Sequence, residues 1–312
     1  MWARSLLGIS VLVVAAWAVG SRRGAHPAAL PSACGDSTRL TWEPASPRRG
    51  ALFVVRVRGP ADSVQLDGTA AGERLHFARD TGDTGYESLA PVPIDSPDSL
   101  SVVVHCGAGA QQDSLAARVA TSSGDYAIER LRVAPAFGRP PSPAIATRIA
   151  RESERAVQVA AAAHLTPRLW REPFALPRDS RITSGFGHGR EFNGAITSRH
   201  MGTDFAGATG APVRAANRGV VRIVDAFYYG GNVVYLDHGS GLSSAYLHLS
   251  EQHVAAGDTV ERGQTIGRVG ATGRVTGPHL HLIVRYGSVT VDPISLFTIA
   301  GTPPGPTSRR DE

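Results

Sequence analysis

Along the chain, short apolar runs alternate with clusters of Gly, Pro, Asn and Asp, the pattern of a molecule made of many short strands. Between Thr38 and Val133 the clearest runs are Ala51–Val57, Ser63–Leu66, Leu100–Val104 and Ile128–Val133, and they predict a small β-sandwich. Pro140-Pro141-Ser142-Pro143 then breaks the pattern. After it, Ala144–Ala163 spaces Ile145, Ile149, Ala156, Val157 and Val159 among Arg and Glu, which predicts a moderately amphipathic helix that packs two β units together or holds them apart. From Arg181 to Phe297 glycine punctuates a second series: Val213–Val224, Gly231–Asp237, Leu242–Leu247, Thr265–Val269 and Leu280–Tyr286, with no long helix between them.

The fold class is therefore mainly β. An N-terminal β-sandwich-like domain is expected over 35–136, a linker with a helix over 140–177, a second β-rich domain over 178–298 and a disordered Pro- and Gly-rich tail over 299–312.

Composition narrows the chemistry. All 32 basic residues are Arg, and the absence of Lys removes P-loop phosphate binding, Schiff-base catalysis and biotinyl or lipoyl carriage. The net charge of +5 suits an anionic wall or membrane surface. Nucleic acid is disfavoured as a partner, because no basic helix, aromatic platform or finger spacing is present.

The N-terminus reads as an export segment: Arg4 precedes an apolar run from Leu6 to Val19, and Ala18-Val19-Gly20 offers small residues for cleavage. Residues 1–20 are thus a signal peptide cleaved near Gly20 or a retained membrane anchor. Proline at position 31 argues against lipidation of Cys34. In an oxidising compartment Cys34 and Cys106, the only thiols, are candidates for a disulfide that closes the first domain; two free buried cysteines are the alternative.

Chemistry-bearing residues concentrate in His200-Met201-Gly202-Thr203-Asp204, Tyr246-Leu247-His248-Leu249 and His279-Leu280-His281. On a strand, His279 and His281 point to the same face. Gly277-Pro278 fixes the approach to that strand. His200 and Asp204 stand four apart, but Gly202 between them and Phe205-Ala206-Gly207 beyond argue for a loop running into a strand rather than a helix. A zinc ion takes N and O donors in a roughly tetrahedral array, and a catalytic site keeps its fourth position for water. Three of these five groups could close such a site, and two adjacent imidazoles need not both bind the ion. The helical HExxH signature is absent, so a zinc site here belongs to another architecture.

These runs lie within a longer text. It includes Ile182-Thr183-Ser184-Gly185-Phe186-Gly187, Gly210-Ala211-Pro212-Val213, Gly231-Asn232-Val233-Val234, Gly257-Asp258-Thr259-Val260, Gly263-Gln264-Thr265-Ile266-Gly267 and Gly270-Ala271-Thr272-Gly273. From about Arg181 to Phe297 the chain resembles the lysostaphin-type, LytM-like zinc metallopeptidases. The resemblance implies a β-rich fold of the duplicated hybrid motif type, one zinc ion per chain, and hydrolysis of stem or cross-link peptides in bacterial peptidoglycan. It also implies a location in the periplasm or cell envelope. Carried onto these positions, His200, Asp204 and His281 would be the zinc ligands and His248 and His279 the proton-handling pair, with base and acid not assigned between them. Leu282-Ile283 and Leu247 depart from the family pattern and bear on specificity. The alternative is a catalytically silent wall-binding or amidase-activating module that uses the same groove, against which retention of all five polar groups argues.

Tyr246, Arg190 and Asn193 are candidates for substrate binding in the groove. His238 reads as a turn residue, Asp292-Pro293 as the end of a strand with a contact behind a metal ligand as a lesser option, and His76 and His105 as ordinary strand or surface residues. His26, His164, His188 and His253 have no partner pattern and default to the surface.

Overall fold

The computed structural model describes residues 34–35, 37–59, 64–79, 85–107, 112–137, 140–194 and 196–299. All of them fall in one compact unit. The export segment over 1–20 and His26 lie outside the described residues; of the tail expected at 299–312 only Ile299 is described, and it ends a helix.

Eight strands come first: β1 (Arg39–Glu43), β2 (Leu52–Arg58), β3 (Leu66–Ala70), β4 (Glu73–Arg74), β5 (Ala78–Arg79), β6 (Gly85–Pro91), β7 (Ser99–Cys106) and β8 (Asp113–Ala120). They make two four-stranded sheets, in the orders β1-β2-β6-β5 and β4-β3-β7-β8. In β7 the residues Leu100, Val102, Val104 and Cys106 are buried and alternate with more open ones, the period of two that a strand with one covered face requires. Phe53, Val55 and Val57 of β2 share a core with Val102 and Val104 of β7, so the two sheets bury one apolar layer between them. A disulfide joins Cys34 to Cys106 at the end of β7.

The run at Ile128 does not join these sheets. It forms β9 (Ile128–Leu131), which pairs in parallel with β11 (Gly189–Phe192), and β11 pairs on its other side with β12 (Ile196–Arg199). The strand read in sequence as the last of the first domain is therefore spent on the second.

Helix α1 (Pro143–Ala162) starts where the pattern predicts, with Ser142 Oγ accepting from the Ile145 N–H and Pro143 preset for the first turn. It lays Ala156 and Val159 on Ile223, Phe227, Val233, Tyr235, Ala245 and Leu247, covering one face of a large sheet.

That sheet comprises β10 (Ile182–Ser184), β13 (Thr203–Ala206), β14 (Pro212–Arg214), β15 (Gly219–Phe227), β16 (Gly231–Gly239) and β17 (Leu242–Gln252). It also takes in β18 (Thr259–Val260), β19 (Thr265–Val269), β20 (His279–Tyr286) and β21 (Val289–Val291). Its main path runs β10-β13-β20-β17-β16-β15-β18. The second face carries the largest core, with Phe205, Tyr246, Leu249, Leu280 and Leu282 all fully buried. In this order β13, β20 and β17 are neighbours, and each carries or adjoins one of the chemistry-bearing runs.

A short helix, α2 (Pro293–Ile299), closes the described chain and puts Leu296 and Phe297 into that core beside Leu52 of β2. Asp292, 6% exposed, pairs with Arg48 and donates its N–H to the Gly50 carbonyl. It therefore ties the end of β21 to the segment leading into β2 and caps α2 through Ile294, and it makes no contact behind a metal ligand. No helix among the described residues is long and apolar enough to cross a membrane.

Candidate metal centre

The site is assembled by strand register. Asp204 on β13 stands directly opposite His281 on β20, and Leu247 on β17 opposes His281 from the other side. Facing residues of an antiparallel pair hold their Cβ atoms about 5 Å apart, close enough for an imidazole and a carboxylate to meet. His281 Nδ1 lies 2.6 Å from Asp204 Oδ1. His200, in the loop that enters β13, brings Nε2 to 3.1 Å from the same oxygen and 3.0 Å from His281 Nδ1. Gly202 makes this approach possible, since a Cβ there would stand 2.7 Å from the His281 ring and 2.5 Å from the Leu282 carbonyl oxygen.

Hydrogen bonds fix which nitrogen of each ring is free. His200 Nδ1–H donates to the Gly185 carbonyl at 2.7 Å, leaving Nε2 as a lone-pair donor. His248 Nδ1–H donates to Thr272 O at 2.8 Å and His279 Nδ1–H to Gly277 O at 2.8 Å, so each keeps Nε2 uncommitted. His279 Nε2 is 3.7 Å from Asp204 Oδ1. The His248 and His279 ring centroids are 4.9 Å apart, and His248 stands 5.7 Å from His281.

His248 reaches this position through a bulge. Between the pairs Asn232–Leu249 and Val234–Tyr246, β17 spends one residue more than β16, and His248 itself adopts φ +64°. Left-handed backbone is uncommon for a side chain other than glycine and costs about 1–3 kcal/mol, a strain that concentrates at functional sites. The extra residue breaks the alternation of the strand: Tyr246 and Leu249, which ideal pleating would put on opposite faces, both enter the main core. Tyr246 is consequently 0% exposed, and its hydroxyl accepts from the Ala216 N–H at 2.8 Å. It lines no groove, contrary to expectation.

Electrostatics suit metal binding. Burial lowers His248 to about 3 and His281 to about 4, so both imidazoles are neutral at physiological pH. Burial alone would raise the Asp204 carboxyl, but its close contacts with His200 and His281 outweigh it and hold the group well below the usual carboxylate range. Two ring nitrogens and one carboxylate oxygen thus converge on one point, a donor set that fits zinc.

Arg190 stands at the site in a different role from the one expected. Its Nη2 donates to Asp204 Oδ2 at 2.6 Å and to Ser184 Oγ at 3.0 Å, and its Nε to Glu129 Oε2 at 3.1 Å. It orients the free oxygen of the carboxylate, the kind of support that ligands to metals receive from behind. Asn193 is spent elsewhere: its amide closes a two-way bond with the Val133 backbone at 3.1 Å in each direction.

Glu129 was not visible as a site residue in the sequence. It extends from β9, accepts from His188 Nδ1 at 2.9 Å and from Ser184 Oγ at 2.7 Å, and shares with Asp204, His248 and His279 a groove of about 360 Å³. His188 is therefore no default surface residue. Neither is His238 a simple turn residue, since it is 0% exposed, donates Nδ1–H to Arg218 O at 2.7 Å and meets Ser244 Oγ at 2.8 Å.

Comparisons with known proteins concern the same segment of the chain. Residues 198–293 match Peptidase family M23. The chain is 48% identical over 116 residues to the peptidoglycan DD-endopeptidase ShyA of Vibrio cholerae, an alignment that covers 35% of this chain and 26% of the relative. It is 44% identical over 115 residues to ShyB of the same organism, described in the same words, with 36% and 26% covered. The chain thus spans about a quarter of the length of these curated relatives. Beyond the site, the crystal structure of a Pseudomonas aeruginosa protein described as a candidate M23 peptidase is 27% identical, with a TM-score of 0.61 over 81% of this chain and 95% of that one.

Proposed function

We propose, on the premise that the chain carries a domain of peptidase family M23, that it is an exported zinc metalloendopeptidase hydrolysing peptide bonds in bacterial peptidoglycan. The observation that carries the reading is the convergence of His200 Nε2, Asp204 Oδ1 and His281 Nδ1 beside two further imidazoles whose Nε2 atoms are uncommitted. Names of the relatives ShyA and ShyB favour a DD-type cross-link as the bond cut.

His200, Asp204 and His281 would hold the ion. Zinc bound there would supply a Lewis acid for the scissile carbonyl and lower the pKa of water toward about 7. His248 and His279, whose Nδ1–H groups are anchored to backbone carbonyls, keep Nε2 ready to take a proton from the attacking water or to deliver one to the leaving amine. Arg190 holds Asp204 in place through the oxygen that faces away from the two histidines.

Export is supported by the Cys34–Cys106 disulfide, a bond that persists in oxidising compartments, and by the apolar run at Leu6–Val19. Residues 1–20 then serve as a cleaved signal or a membrane anchor, with the cell envelope as the location. Metal analysis of the purified chain together with digestion of peptidoglycan preparations tests the proposal. Stoichiometric zinc and release of cross-link products are expected; zinc without cleavage of any wall preparation would favour the silent wall-binding module instead.

A further inference from the structure

The groove beside His248 contains a cation with no protein counterion among the described residues. Arg274 follows Gly273 in the loop that supplies the Thr272 carbonyl to His248. Its guanidinium carbon lies 4.2 Å from the centre of the Phe192 ring and 4.1 Å from that of Tyr229, and its backbone N–H donates to Tyr229 O at 2.9 Å. Two aromatic contacts and a backbone bond therefore position it. Among the described residues no carboxylate pairs with it, and none accepts a hydrogen bond from its guanidinium nitrogens.

That situation is unusual for a half-buried Arg and contrasts with its neighbour. Arg190 is matched by Asp204 and Glu129, whereas Arg274 meets only ring faces and the positive charge of Arg190. Stacking occupies the π system and consumes no N–H, so the fork of donors in the guanidinium plane remains available for a planar, bidentate acceptor. Arg274 also lines both cavities that flank His248, the groove of about 360 Å³ and a second pocket of about 180 Å³ that includes His200 and His281. An anion seated on Arg274 would lie within the reach of a peptide strand whose scissile bond faces His248 and His279.

We infer that Arg274 is a specificity-determining residue: it binds a free carboxylate carried by the peptide next to the scissile bond, so the chain selects acidic cross-link peptides over their amidated counterparts. The inference rests on the endopeptidase reading for its effect on cleavage, while binding can be read separately. Its test uses the zinc-loaded full chain and a matched pair of cross-linked stem-peptide dimers, one with free α-carboxylates and one with these converted to carboxamides.

Wild type is expected to favour the acid form by about tenfold to a hundredfold in kcat/KM, the range of a charge-assisted hydrogen bond. Arg274→Gln should erase the preference by raising KM for the acid form alone, with kcat and zinc content held. Arg274→Lys, which keeps the charge and loses the fork, should fall between them and serves where the Gln variant does not fold. Binding of both peptides to His248→Ala, followed by calorimetry, should show the same preference. Acid-selective binding with no cleavage by wild type would retain the role of Arg274 and sink the endopeptidase reading. Equal handling of the two peptides by wild type, or an undiminished preference in either Arg274 variant, would overturn the inference.

Discussion

Two clusters of imidazole and carboxylate groups differ in how they are arranged, one lining the groove and one between the N-terminal sheets and the large sheet. In the second, His164 Nε2 donates to Glu73 Oε2 at 2.9 Å, His164 Nδ1 shares a hydrogen bond of 2.8 Å with His76 Nε2, and Glu73 Oε1 accepts from the Ser288 N–H at 2.9 Å. The groups are strung in a line, each satisfied by the next, and the line stitches β4 to the loop after β20. At the groove, by contrast, His200, Asp204 and His281 turn three donor atoms toward one point, and His248 and His279 leave Nε2 unspent. Identical chemistry yields a structural tie in one place and a candidate reactive centre in the other. The difference lies in the direction of the lone pairs.

If that distinction is right, the groove cluster controls activity and the other controls stability, and substitutions should separate the two. The largest effect is expected from His200→Ala, Asp204→Ala or His281→Ala, each of which should abolish peptidoglycan hydrolysis in a turbidity or product-release assay. His248→Ala should come next, lowering kcat by about 10²–10⁴ with zinc retained, the usual contribution of a proton-transferring side chain. Arg190→Gln should weaken zinc binding by about 10–100-fold in competition with a chelator, because it leaves Asp204 Oδ2 without its orienting donor.

Glu73→Gln should be the mildest for function. It should cost about 1–3 kcal/mol in denaturant unfolding while zinc content and turnover stay at wild-type values. Burial raises the Glu73 carboxyl, but hydrogen bonds from His164 and Ser288 outweigh it and hold the group below its ordinary range. Its contribution is therefore present above a pH of about 4.3 and is lost as pH falls through the depressed value. Wild type and Glu73→Gln should accordingly converge in stability under acid. A loss of zinc in Glu73→Gln would break the separation between the clusters.

The two clusters also differ in how far the sequence reveals them. His279 and His281 stand two apart on one strand, and His200 and Asp204 lie four apart in one short segment, so much of the groove set is local text. The tie between the sheets is not: His76 and His164 are 88 positions apart, and Glu73 and His164 are 91 apart. Such contacts follow from packing and leave no spacing to read, which is why these histidines look ordinary in the sequence. Glu129 is invisible in the sequence for a related reason, since β9 pairs in parallel with β11 across some 60 residues and no short-range pattern announces a parallel partner. Tyr246 departs from the sequence pattern through a local irregularity instead. A strict period of two puts it on the same face as His248, and the bulge at His248 sends the tyrosine into the core.

The central claim is the division of five polar groups into a ligand set and a proton-handling pair. Zinc stoichiometry of the full chain, measured by elemental analysis side by side for wild type, His281→Ala and His248→Ala, tests it most directly. One zinc per chain is predicted in wild type and in His248→Ala, and none in His281→Ala at equal folding. Zinc lost from His248→Ala and kept by His281→Ala would contradict that division.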